Sequence, residues 1–161
     1  MRVNRLFMVV LALVVALAAL VGSAPAGASS ELTKCTAFAV LKPGNEVRPE
    51  GSPDPVESRA LGAALVHIEG TTLSFSVAIA NPARETFVAG HIHTGVAGLN
   101  GPVLVPLFSG SSDRRLFFQA ARMEITAEAA AAICGDPGGH YVNYHTTQDP
   151  QGAVRGQLTR I

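Results

Sequence analysis

His91 and His93 stand two residues apart in a β-type run, Thr86 to Thr94, and His145 stands in a second such run near the C-terminus. On a strand, that spacing puts both imidazoles on one face and Ile92 on the other. Two imidazoles on one face can chelate a metal ion. A third from another strand supplies the ligand type and number of a zinc or copper centre. The same residues also have a structural account, in which each imidazole donates to a backbone carbonyl and fixes the loop from Gly95 to Gly101. Both accounts stand at this point. His67 and His140 have no partner motif and read as surface or core polar residues. Other chemistries lack their signatures: there is no Gly-x-Ser-x-Gly, no cysteine left to pair with a histidine base, and no carboxylate pair in a distinctive motif. No catalytic residue is assigned, and the chain is expected not to be an enzyme.

The segments around these histidines are rich in turn chemistry. Gly95, Gly98 and Gly101 recur every three residues, but a phosphate-cradling loop must lead into a helix, and this one leads through Pro102 into the apolar run Val103-Leu104-Val105. The glycines are expected to permit positive-φ turns between strands. Near the C-terminus, Asp149-Pro150-Gln151-Gly152 carries Asp, Pro and Gly at positions one, two and four of a type I turn. Pairing the flanking runs about that turn sets His145 opposite Gly156, grouped with Asn143, Val154 and Leu158. His145 then faces inward, and the missing side chain leaves room for its ring. The same pairing sets Arg155 on the other face, opposite Thr146 and near Asp149, as a surface ion pair or a clamp on the turn.

The elements that must position these residues are mostly strands. Thr36 to Leu41 reads as the first, ended by Lys42-Pro43-Gly44-Asn45. Pro43 to Pro55 holds four of the ten prolines and reads as a long ordered loop. Arg59 to Ile68 and Thr71 to Ala80 form a hairpin about Glu69-Gly70. Leu73, Phe75, Val77 and Ile79 alternate with small polar or alanine positions, as in a half-buried strand. Thr86 to Thr94 and Pro102 to Phe108 follow. Thr126 to Cys134 is the one helix, capped by Thr126, favoured by Glu128 and four consecutive alanines, and stopped by Gly135 and Pro137. His140 to Thr147 and Ala153 to Ile161 close the chain as a hairpin. The pattern predicts an all-β protein: an antiparallel β-sandwich or partly closed barrel, superoxide-dismutase-like or Ig-like, with one short helix.

Arg2 and Arg5 precede an apolar run of 16 residues, Leu6 to Val21, and Ala26-Gly27-Ala28 fits the small-x-small cleavage rule. Residues 1–28 are therefore expected to be a secretory signal peptide, 29–34 a short leader, and 35–161 the domain. The run is short of the roughly 20 residues that span a bilayer, so no membrane span is expected after cleavage. Removing 28 of 161 residues leaves 133, with 10 basic and 12 acidic side chains, because Arg2 and Arg5 go with the leader. A charge near −2 with scattered basic residues does not suit nucleic acid or anionic lipid. Two cysteines in an exported chain form one disulfide most economically, and Cys35 is expected to pair with Cys134, joining the first strand to the end of the helix.

HIHTGVAGLNGPV, His91 to Val103, followed by YVNYHTTQDPQGAVRGQL, Tyr141 to Leu158, resembles the CHRD domain, a module named from chordin and found in many bacterial secreted proteins. The resemblance extends from about Cys35 to Ile161. It makes Gly95, Gly98, Gly101, Pro102, Asn143, Thr146, Gly152, Arg155 and Gly156 structural motif positions. It implies an all-β extracellular module with no established reaction, acting by binding or assembly outside the cell, its partner an extracellular protein or an envelope component. The His-x-His strand is also similar to that of copper-zinc superoxide dismutases. Those enzymes use more histidines plus an aspartate, whereas this chain has five histidines, two of them without context, so dismutase activity is not expected. The leading expectation is a non-enzymatic binding or structural module. The alternative is a zinc- or copper-binding protein using His91, His93 and His145.

Overall fold

A computed structural model describes residues 33–48 and 56–161. The expected signal peptide, all but the last two residues of the short leader, and 49–55 of the proline-rich loop lie outside the described residues. The chain forms β1 (Lys34–Leu41), β2 (Leu61–Glu69), β3 (Thr72–Ala80), β4 (Phe87–Thr94), β5 (Val103–Ser112), β6 (Leu116–Glu124), α1 (Ala127–Gly135), β7 (His140–Thr146), β8 (Val154–Gln157) and β9 (Thr159–Arg160). All pairings are antiparallel, in a five-stranded sheet ordered β6-β3-β2-β1-β9 and a four-stranded sheet ordered β5-β4-β7-β8. The sheets face each other as an open sandwich and do not close into a barrel. Among the described residues no helix is long and apolar enough to cross a membrane.

Side-chain alternation builds both layers. Leu73, Phe75, Val77 and Ile79 of β3 are buried, as are Ala64, Val66 and Ile68 of β2 and Ala37, Ala39 and Leu41 of β1. Ile92, Val142, Tyr144 and Val154 of the other sheet meet them in one apolar core. Phe117 from β6 packs against Phe87 at 5.4 Å and Tyr144 at 5.6 Å between ring centres, tying the layers through aromatic edges. The β2–β3 hairpin turns on Gly70-Thr71, where Gly70 takes a left-handed φ of 63°. Such a turn matches the twist of the paired strands.

The helix starts as expected, the Thr126 hydroxyl accepting from the Ala129 amide at 3.1 Å. Its buried face is Ala129, Ala130, Ile133 and Cys134. The Cys35–Cys134 disulfide is present, with Cα atoms 5.5 Å apart.

Three expectations need correction. A strand not anticipated, β6, forms the edge of the large sheet, and β5 runs on to Ser112. The last segment is not one strand: β8 pairs with β7, then the chain crosses and β9 pairs with β1. The register of the final hairpin also differs. Asp149 and Gly152 do form a hydrogen-bonded turn at 3.1 Å, but it sits inside a longer loop, residues 147–153. Val142 therefore faces Gly156 and Asn143 faces Arg155.

Candidate metal centre

Because Ile92 points into the core, its neighbours on β4, His91 and His93, project from the outer face of the small sheet. On β7 the core positions are Val142 and Tyr144, so Tyr141, Asn143 and His145 share that outer face. His91 lies beside Asn143, and His93 beside Tyr141. The expected inward His145 is thus corrected: it stands half-buried outside the sheet, brought to the other two by β4–β7 pairing and not by Gly156. A Cβ on Gly156 would meet the Val40 carbonyl oxygen at 2.5 Å, so this glycine makes room for β1 and not for an imidazole.

The three rings converge. One ring nitrogen from each of His91, His93 and His145 lies within 4.8 Å of the others. His91 Nδ1 approaches His145 Nε2 at 3.1 Å. His93 Nδ1 sits 3.0 Å from the Gly101 carbonyl oxygen and His145 Nδ1 3.1 Å from that of Pro150. A carbonyl only accepts, so each Nδ1 carries the proton and each Nε2 presents a lone pair. His93 Nε2 is buried and has no hydrogen-bond partner among the described residues. Burial lowers the pKa of all three. For His91 the nearby His93 adds to the effect, and for His93 the positive Arg155 does, against an opposing bond to Gly101. His145 is pushed down to about 4, by burial first and then by His91. Neutral imidazole is the form that ligates a metal.

The loop that supplies the Gly101 carbonyl is held from below. Arg155 is fully buried at 1% exposure, on the same face as the histidines, which corrects the expected surface ion pair near Asp149. Its guanidinium donates to the carbonyls of Val96 (3.0 Å) and Leu99 (2.8 Å) and to Asn100 Oδ1 (3.1 Å). It also lies 3.4 Å from the centre of the Tyr141 ring, which stacks on His93 at 4.9 Å with planes 5° apart. Since β7 lies between β4 and β8, Tyr141 is the middle layer of a His93–Tyr141–Arg155 stack. Gly95 (φ 154°) and Gly98 (φ 83°) take the positive φ expected of the loop. Gly101 is there for close approach, because a Cβ would fall on the Thr94 carbonyl, and the Pro102 carbonyl accepts from the Thr94 amide at 3.0 Å.

On the other side, Asp149 pairs with Arg48 at 2.6 Å, and the Thr146 hydroxyl accepts from the Asp149 amide at 3.0 Å. Asn143 donates to Glu46 Oε2 at 3.3 Å, while Glu46 Oε1 and Asn143 Oδ1 have no partner among the described residues. A Cβ on Gly152 would collide with that Glu46 oxygen, so the glycine clears space for the carboxyl. Sequence reasoning passed over Glu46 and Tyr141, whose roles depend on the loop packing back over the sheet. A cleft of about 340 Å³ opens between the Gly44–Val47 and Ala97–Gly98 segments, with Arg155 and Gln157 in its wall.

Burial pushes the Glu46 carboxyl up to about 8, against opposing contributions from Arg155, Asn143 and Arg48. Unfolded, it ionises near 4.5. Between these values the folded state binds the extra proton, so stability falls as pH rises through the window. Glu46→Gln, which cannot ionise, is expected to match the wild-type urea midpoint at pH 4 and exceed it clearly at pH 8. Equal midpoints at both pH values would show that the carboxyl is solvated.

Comparison with curated proteins and with solved structures finds no match in either set. The CHRD domain family, in contrast, matches residues 37–158. That span begins in β1 and takes in the histidines, the glycine loop they lean on and the arginine beneath it; the chain belongs to the CHRD domain family.

Proposed function

We propose that this CHRD module is an exported, non-catalytic binding protein that holds a zinc or copper ion on His91, His93 and His145. The observation that carries the reading is the meeting of three ring nitrogens within 4.8 Å, with His93 Nε2 buried and without a hydrogen-bond partner among the described residues. A purely structural role accounts for the bonds made by His93 Nδ1 and His145 Nδ1, but leaves that buried nitrogen unexplained. All-imidazole donors suit zinc and copper. Carbonyl-bound Nδ1 atoms are the usual outer support of such ligands. His91, His93 and His145 would hold such an ion through one ring nitrogen each. Export is supported by the signal-like N-terminus and the disulfide.

Titration calorimetry with zinc and with copper(II) tests this. One ion per chain is expected for the wild type, with at least a hundredfold loss of affinity in His93→Ala. Protons compete for the ligand nitrogens, so affinity rises with pH. Because all three pKa values lie below the ordinary 6.5, half of the binding should persist to below pH 6.5. Equal, weak binding by both proteins would leave the histidines as hydrogen-bonding groups and overturn the reading.

A further inference from the structure

Among the described residues, nothing covers the outer face of the five-stranded sheet. Three consecutive cross-strand rows on it are Leu61–Ala80–Leu116, Val40–Ala63–Ala78–Phe118 and Phe38–Leu65–Ser76–Ala120. Leu116 is 65% exposed and Phe118 67%. No charged residue occurs in these rows. Charges begin at the borders, at Arg122 and then Lys34, Glu69 and Glu124 on one side and at exposed Lys42, two residues beyond Val40, on the other. The large side chains and alanines together present on the order of 700 Å² of apolar surface. That exceeds the roughly 300–600 Å² of the largest patch on an ordinary monomer.

We propose that this face is a homodimer interface, two copies packing sheet to sheet about a two-fold axis. Three observations point to a second copy. The area is close to the about 800 Å² that each side of a standard interface buries. In an isologous contact a residue near the axis meets its own counterpart, so a charge there would oppose its own sign; the three rows contain none, a restriction that an unrelated partner does not impose. The face also carries both a knob and a hole. Phe118 projects from β6, while a shallow hollow of about 210 Å³ lies beside Leu65, where Ser74 and Ser76 leave the surface low. A two-fold axis uses such a complementary pair twice, and twisted sheets packed face to face interdigitate in this way. The inference is independent of the metal site.

Analytical ultracentrifugation of the purified protein, from about 1 to 200 μM, tests it. A monomer–dimer equilibrium is expected for the wild type and for His93→Ala. Phe118→Glu and Leu65→Glu should each weaken the dimer at least a hundredfold. Both replaced side chains face outward, so thermal melts of the variants should show folded proteins; if one fails to fold, the other decides. A wild type that remains monomeric at every concentration overturns the proposal, and co-sedimentation of that monomer with phosphatidylcholine vesicles would assign the face to lipid instead. A dimer that both substitutions leave intact also overturns it, because the contact then lies elsewhere.

Discussion

Arg155→Met is expected to cost about 3–5 kcal/mol of stability, because it leaves three buried acceptors without their donor. Methionine keeps most of the stem volume, so little of the loss comes from a cavity. The carbonyls of Val96 and Leu99 and the Asn100 side chain lose their donor, and each buried acceptor left unpaired costs about 1–3 kcal/mol. Tyr141 loses the cation on its face, worth up to about 2 kcal/mol when desolvated. These contributions overlap, so the total is less than their sum. Arg155→Lys should recover little, because an ammonium cannot serve three acceptors in a planar fork while stacking on a ring. The loop from Gly95 to Gly101 should loosen, and with it the carbonyl that orients His93. Metal affinity is therefore expected to fall about 10–100-fold in any Arg155 variant that remains folded. Urea unfolding checks the first effect and calorimetry the second. A wild-type urea midpoint in Arg155→Met would remove the clamp.

The second large effect concerns Cys35 and Cys134, which lie 99 residues apart. Closing a loop of that length in the unfolded chain is worth about 4.7 kcal/mol in the chain-entropy treatment. Cys35→Ala/Cys134→Ala should therefore unfold at a far lower denaturant concentration than the wild type, and dithiothreitol should reproduce the shift in the wild type alone. Both sulfurs are buried, which shields the bond in the folded protein, so reduction should require unfolding. Unchanged midpoints after confirmed reduction would mean that the first strand and the helix hold together without the link.

Features that depend on local chemistry could be read directly from the residues. Thr126 and the alanine run specify the helix, Gly70 and the alternation in Thr72–Ala80 specify the hairpin, and His91-x-His93 puts two imidazoles on one face whatever lies beneath. Features that depend on distant partners could not. The β6 sequence LFFQAARME buries little besides Phe117, because at the sheet edge its other inward positions, Gln119, Ala121 and Met123, are polar or only partly covered, so it lacks the apolar alternation of an interior strand. The expected register of the last hairpin fails because Asp149–Gly152 is a turn within a loop, and extra loop residues shift every cross-strand pair. That shift moved Arg155 from the expected surface to the centre of the site. Its burial is paid for by loop carbonyls more than 50 residues away in sequence, a relation no local pattern shows.

The crossing from β8 to β9 has a kinetic consequence. Within Val154–Arg160 the chain completes the small sheet and then, after one intervening residue, the large one. During synthesis from the N-terminus this is the last stretch of the domain to appear. Until it does, β1 lacks one neighbour and β7 lacks another, and the edges of both layers stay unsealed. Such long-range closure is slow compared with local hairpin formation. A chain released stepwise should therefore remain open and protease-sensitive until its final strands arrive, then close both layers together. Under the export proposed above, that order of events suits a polypeptide threaded through a membrane before it folds.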